Sequence, residues 1–364
     1  MLIPVGSNLK ACSQLPLNEF MSDNSDSLDE LRLGLVGAGR SGIAFARACE
    51  GLHGCRLSAV CDLEPERAAG IVGAKPFKEF DQLLAFPEID ALVIATNIGH
   101  RGEIALQSLK IGLPVLARAP VSADKALNEE IMTLVSKSRG KLVCGIWRPL
   151  RFSVRGRKLK DLTDGAFGRP FRVQWTLTDR FCDEASALKI AQKGEEPLGT
   201  LLNSLREELD LLLWLLGEPD FIEASQVIGK HHDVEVQDEV FLRLAWDDGV
   251  TCCFVASSGE IPGVDRLEMI GDRGLIVSER DRPIHWNRCE KSVEEFSRSI
   301  KNSSTKLASW EIEIPTQPSG PEIDHEAILL DFSDSIRLGG KPVSGPKDDS
   351  MLLRLQSRIA ECLS

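Results

Sequence analysis

Residues Leu33-Gly-Leu-Val-Gly37-Ala-Gly39-Arg40-Ser41-Gly42 form an apolar run that leads straight into G-x-G-x-x-G. In such a turn the first glycine, Gly37, allows the tight reversal. Gly39 lets a pyrophosphate approach the backbone, and Gly42 lets the following helix pack close to the strand. The free N–H groups that open that helix, with Arg40 and Ser41 in its first turn, suit phosphate oxygens. A second apolar run ends in Asp62, 20 residues past Gly42. That spacing fits a carboxylate that accepts hydrogen bonds from ribose hydroxyls, and its charge repels a 2′-phosphate. The expected cofactor is therefore NAD rather than NADP. If such a cofactor exchanged hydride with an alcohol, the reaction would also need a base for the proton and a cation for the developing alkoxide. The chain has no tyrosine, so a phenol general acid is excluded.

Strands and helices must hold these groups in place. Leu31–Val36, Leu57–Cys61, Ala91–Ala95, Val115–Ala117 and Leu142–Gly145 read as buried strands, and amphipathic stretches such as Ser41–Glu50 and Glu103–Ile111 separate most of them. That alternation predicts a parallel sheet covered on both faces. After about Arg148 the pattern changes. Phe171, Val173, Trp175 and Leu177 alternate with polar residues, as do Val240, Leu242, Leu244 and Trp246, which is the period-two signature of half-buried strands. One long helix is expected over Gly199–Leu216, further strands over Thr251–Ala256, Arg266–Ile270 and Leu275–Ser278, and helices over Glu322–Leu338 and Asp348–Leu363. Thr305–Gly320, rich in Ser, Thr and Pro, reads mostly as loop. The expected fold class is α/β, with a parallel sheet followed by a domain built on an open, mainly antiparallel sheet. The expected divisions are a disordered or extended segment at 1–30, a nucleotide-binding domain at 31–148, and a substrate and oligomerisation domain at 149–364.

The net charge of −12 over 364 residues argues against a nucleic-acid surface, which needs a basic patch. No apolar run approaches the ~20 residues of a membrane span, and residues 1–30 lack the basic start and apolar core of a signal peptide. The cytoplasm is the expected location. The ten cysteines are scattered, without C-x-x-C or a metal-ligand pairing with the six histidines. They read as small hydrophobes in a reducing compartment, and no metal is expected.

With the glycine motif placed, the chain from about Leu31 to Leu363 resembles the Gfo/Idh/MocA family, typified by glucose–fructose oxidoreductase and inositol dehydrogenase. The resemblance runs through Asp90-Ala-Leu-Val-Ile-Ala-Thr96, Ala105-Leu-Gln-Ser-Leu and Gly165-Ala-Phe-Gly-Arg-Pro170. It continues through Trp214-Leu-Leu-Gly217, Ile270-Gly-Asp-Arg-Gly274 and Pro342-Val-Ser-Gly345. It implies a Rossmann domain, then an α/β domain whose open sheet forms a homo-oligomer interface. A sugar-like or anionic small molecule would lie between the two domains. Thr96 falls in a turn that the family places beside the cofactor, and Trp147, Arg148 and Asn203 fall where relatives line the substrate pocket.

The family carries Glu-Lys-Pro where this chain has Arg118-Ala119-Pro120, and the lysine lies beside the reacting carbon. Its D-x-G-x-H-x-x-D run falls on Asn203, Leu205, Glu207 and Asp210, and the histidine of its A-T-P-N-x-x-H turn falls on Arg101. Of the residues expected to do chemistry, Asp210 alone keeps its type. The resemblance thus implies a dinucleotide-binding protein with weak or no hydride transfer. The alternative is an active oxidoreductase on a sugar, cyclitol or related hydroxy compound, with Glu207 as base, Arg118 steadying the alkoxide and Asp210 in support. Arg118 and Glu207 could instead pair as a salt bridge or face solvent.

Overall fold

The computed structural model describes residues 30–193, 200–233, 237–300, 306–316 and 324–363. The expected N-terminal segment therefore lies almost wholly outside the described residues.

The first unit runs β1 (Leu31–Val36), α1 (Arg40–Gly51), β2 (Cys55–Cys61), α2 (Pro65–Ala69), β3 (Lys75–Phe77), α3 (Phe80–Leu84), β4 (Ala91–Ile94), α4 (Ile98–Lys110), β5 (Val115–Arg118), α5 (Lys125–Lys137) and β6 (Cys144–Trp147). Its six strands are ordered β3-β2-β1-β4-β5-β6, and every neighbouring pair is parallel. The apolar runs become strands because both sheet faces are covered: every residue of β4 and β6 is buried. The strand order reverses between β1 and β4, which opens a crevice at the carboxyl ends of the strands.

The chain continues with α6 (Pro149–Phe152), α7 (Val154–Asp164), β7 (Pro170–Leu177), α8 (Glu184–Lys193), α9 (Thr200–Ser204), α10 (Arg206–Leu216), β8 (Phe221–Ile228), β9 (Gln237–Ala245), β10 (Thr251–Ser257), β11 (Asp265–Gly271), β12 (Gly274–Glu279), β13 (Ile284–Cys289), α11 (Val293–Ser299), β14 (Ser309–Ile314), α12 (His325–Leu338) and α13 (Pro346–Leu363). The second sheet has eight strands in the order β14-β13-β12-β11-β7-β10-β9-β8. Only the β7–β10 pair is parallel. Val240, Leu242 and Leu244 of β9 are buried, while Phe241 and Arg243 between them are exposed. The inner face packs on α10, whose Leu209, Leu212 and Leu216 share one core with Trp175 and Phe254. Among the described residues the outer face is left open, with Phe241 and Arg243 exposed on it.

Two local expectations need correcting. Ser309–Ile314 is not loop but the edge strand of the second sheet, paired with β13 from Ile284↔Ile314 to Cys289↔Ser309. Its half-buried positions are Ile312 and Ile314, too few to stand out as a period in a stretch rich in Ser, Thr and Pro. The single long helix is two, α9 and α10, divided at Leu205, whose φ of −94° and ψ of 9° leave the helical range. The chain then returns to the first sheet. Ile328, Leu329 and Phe332 of α12 join the core formed with Leu33, Phe45 and Trp147, whereas Leu352, Leu355 and Ile359 of α13 join the core of the second.

Candidate cofactor and substrate site

At the end of β1 the three glycines divide the work between them. Gly37 has φ +96°, and a Cβ there would meet the backbone of Ala95 and Thr96 at 3.0 Å. A Cβ on Gly42 would lie 1.9 Å from the Gly37 carbonyl oxygen, so only glycine lets α1 sit this close. A Cβ on Gly39 would meet nothing within 4 Å, so the turn is open to the crevice where a pyrophosphate needs to approach. Gly39 also N-caps α1 without a side-chain bond, and the first N–H groups of that helix stay available to an anion. Arg40 is exposed and Ser41 half-buried beside them.

Asp62, just past β2, faces this turn. Its Oδ2 accepts the Ala38 N–H at 2.7 Å and its Oδ1 accepts the Glu64 N–H at 2.9 Å, which fixes the carboxylate at the mouth of the cradle. Thr96 lies just past β4, across the point of strand reversal, and its Oγ1 is buried without a partner. A glycine cradle, an uncapped helix start, an oriented carboxylate and an orphaned hydroxyl together fit a dinucleotide.

The other half of the crevice is built differently. Arg101, on the first turns of α4, is only 5% exposed. Its Nη1 donates to the carbonyls of Arg118 (2.9 Å) and Pro120 (2.6 Å), and its Nη2 donates to the carbonyl of Thr96 (2.8 Å). This guanidinium staples the end of β4 to the turn after β5. Burial, followed by the charge of Arg118, brings it down to about 10, so it stays protonated at neutral pH. Ala119 is half-buried against the first sheet's core. Arg118 is exposed at the end of β5, and its guanidinium has no partner among the described residues.

Below this turn lies a closed network of charges. Asp210, on α10, is fully buried and accepts from Arg151 Nε and Nη2, both at 2.7 Å, with Arg148 Nε at 3.2 Å. Arg148 reaches Asp349 through Nη2 at 2.5 Å and Ser344 through Nε at 3.2 Å. Arg151 adds Asp348 at 2.9 Å. Asp349 also accepts the Val121 N–H at 2.7 Å, one residue after Pro120. Burial alone would lower Arg148, but Asp210 and Asp349 outweigh it and hold it above its ordinary value. Burial raises Asp349 against the pull of Arg148. Trp147 is buried too, stacked on Phe45 with centroids 4.0 Å apart.

Glu207 is half-buried near this network and does not pair with Arg118. Burial pushes it up to about 7, against Arg148 and the Leu150 amide, and its Oε2 is buried without a partner. Glu208, next along α10, pairs with Arg180. Asn203 lies on α9, with its side chain outside the described residues. The structure therefore brings Gly37, Gly39, Gly42, Asp62 and Thr96 to one crevice. Trp147, Arg148 and Asp210 are buried.

Comparisons with known proteins agree with this architecture. Residues 31–145 match the family described as "Oxidoreductase family, NAD-binding Rossmann fold", and residues 157–277 match the "GFO/IDH/MocA C-terminal domain". The chain belongs to the Gfo/Idh/MocA oxidoreductase family. Inositol 2-dehydrogenase of Rhizobium meliloti is 28% identical over 267 residues, which span 70% of this chain and 77% of the relative. Two solved structures share the fold across 92% of this chain. An oxidoreductase from Agrobacterium radiobacter in complex with NAD+, L-tartaric acid and magnesium has a TM-score of 0.70, 18% identity and 96% of its chain covered. The WlbA dehydrogenase from Chromobacterium violaceum, in complex with NADH and UDP-GlcNAcA, has a TM-score of 0.69, 18% identity and 93% covered.

Reading the sequence missed Arg101 as a staple and Asp348–Asp349 as the far side of the charge network. An arginine on a helix reads as surface, and two aspartates opening a helix read as ordinary complements to its dipole.

Proposed function

We propose that this chain binds NAD and a small sugar-like or anionic ligand but transfers hydride weakly or not at all. The observation that carries the reading is Ala119, a methyl group at the carboxyl edge of β5, among cations that cannot replace a proton-transferring lysine. Arg101 is held by three carbonyls, and Arg148 and Arg151 are paired with buried aspartates. Arg118 has no partner among the described residues, but a guanidinium does not give up its proton near neutrality. A bound nicotinamide would supply the hydride chemistry. The residues here would position it without serving the substrate's proton.

Asp62 supports NAD over NADP, because a 2′-phosphate would meet its carboxylate. The inositol dehydrogenase relatives and the sugar-nucleotide acid held by WlbA support the ligand class. The open face of the second sheet, with Phe241 and Val255 paired across it, supports self-association. The nine cysteines among the described residues are all free, in keeping with the cytoplasm.

A second reading, an active oxidoreductase with Glu207 as base, is favoured by one observation. This carboxyl titrates near neutrality and has an unpartnered oxygen. NADH formation from NAD+ and myo-inositol or UDP-sugars separates the two. On the first reading the wild type shows background rates, and the double variant Ala119→Lys/Glu207→His gains turnover. Wild-type turnover that disappears in Glu207→Gln would establish the second reading and sink the first.

A further inference from the structure

The two ends of the crevice differ in charge. Asp62, the uncapped start of α1 and the ribose-facing side of the cradle belong to β1 and β2. In a sheet of order β3-β2-β1-β4-β5-β6 that half takes the adenosine, and the nicotinamide extends over the ends of β4 and β5. At those ends stand Arg118, exposed and unpartnered among the described residues, and the Arg101 guanidinium, which donates to the Arg118 carbonyl at 2.9 Å. Asp349, the carboxylate whose charge reaches Arg101, is itself held by Arg148 and the Val121 amide. The uncapped start of α4 at Asn97 adds partial positive charge on the same side.

We propose that this cationic end makes the site selective for the reduced dinucleotide. The oxidised nicotinamide ring carries a positive charge and the reduced ring is neutral, so a cation nearby raises the free energy of bound NAD+ and leaves NADH unaffected. Everything else in the two molecules is shared. Arg118 is the specificity-determining residue, because its guanidinium is exposed at the carboxyl end of β5 and unpaired among the described residues, whereas Arg101 is locked by three carbonyls. The inference rests on dinucleotide binding as proposed above and extends it: a protein that binds NADH in preference to NAD+ without turning it over reports the redox state of the pool.

The test is a set of calorimetric titrations of the full chain with NADH, NAD+ and ADP-ribose, for wild type, Arg118→Gln and Arg118→Glu. ADP-ribose lacks the nicotinamide and monitors the shared part of the site. NADH should bind wild type at least about tenfold more tightly than NAD+, a factor equal to about 1.4 kcal/mol. The ratio should shrink in Arg118→Gln and collapse or invert in Arg118→Glu, while ADP-ribose affinity holds within about threefold. A NADH-to-NAD+ ratio that Arg118→Glu leaves unchanged, with ADP-ribose still bound, overturns this inference alone. Failure of ADP-ribose to bind wild type overturns it together with the nucleotide-binding reading.

Discussion

Arg101 shapes the turn after β5, because one buried guanidinium serves the carbonyls of Thr96, Arg118 and Pro120. Each buried acceptor left without a donor costs about 1–3 kcal/mol, so Arg101→Ala should lower the unfolding free energy by about 3 kcal/mol or more. Arg101→Lys should recover only part of this, since an ammonium offers its donors from one point rather than across a fork. Urea denaturation of the three proteins checks that order. Glu207 makes a separate claim, on pH. Its folded value of about 7 lies above its ordinary 4.5. Between those values the unfolded chain has released a proton that the folded chain keeps, so stability falls as pH rises through this window. Glu207→Gln should remove the fall and stabilise the protein above pH 7 by about 2–3 kcal/mol, with little effect near pH 4. Equal urea midpoints for variant and wild type at about pH 8 would contradict this.

The glycine turn and α1 separate fold from function by one methyl group. A Cβ on Gly39 points into open space, whereas one on Gly42 would drive into the Gly37 carbonyl at 1.9 Å. Gly39→Ala should therefore leave the melting temperature within about 2 °C of wild type and weaken dinucleotide binding at least tenfold, because the methyl lies where phosphate must approach. Gly42→Ala should instead lower stability by about 1–3 kcal/mol, as α1 is pushed off the sheet. Calorimetry on both variants distinguishes the two roles. This element was legible because strand, glycine spacing and helix must coincide for the turn to work, and β1 lies at Leu31–Val36 as read. β3, only Lys75–Phe77, and the edge strand β14 were not legible. One is too short to show a period, and the other buries little of its apolar surface. Around Ala119 the missing lysine could be read from residue type alone. What fills the space could not, because Asp349 meets Val121 across 228 positions of chain.

At the scale of the whole molecule the two sheets are tied by charge where α6, α10 and α13 meet. Arg148 and Arg151 follow the last strand of the first sheet, Asp210 sits on the helix that backs the second, and Asp348 and Asp349 open the helix that runs between them. Asp349 also holds the Val121 amide, beside the Arg118–Pro120 turn, so the junction reaches the crevice. Taking one partner from a buried pair leaves an uncompensated charge and costs about 3–5 kcal/mol. Asp210→Asn should therefore destabilise the protein by that amount, with Arg148 left to Asp349 alone and Arg151 to Asp348 alone. The double variant Asp210→Leu/Arg151→Met should be less destabilised than Asp210→Asn despite its two changes, because it removes charge from both sides of the pair. Dinucleotide affinity should follow a different course. Both variants should lose affinity if the junction sets the crevice, the double variant included, because the arginine-to-aspartate geometry is gone even where stability returns. Urea unfolding combined with NADH titration reads the two effects separately. Recovery of stability and affinity together in the double variant would mean that apolar packing at this junction is enough to hold the two sheets in register.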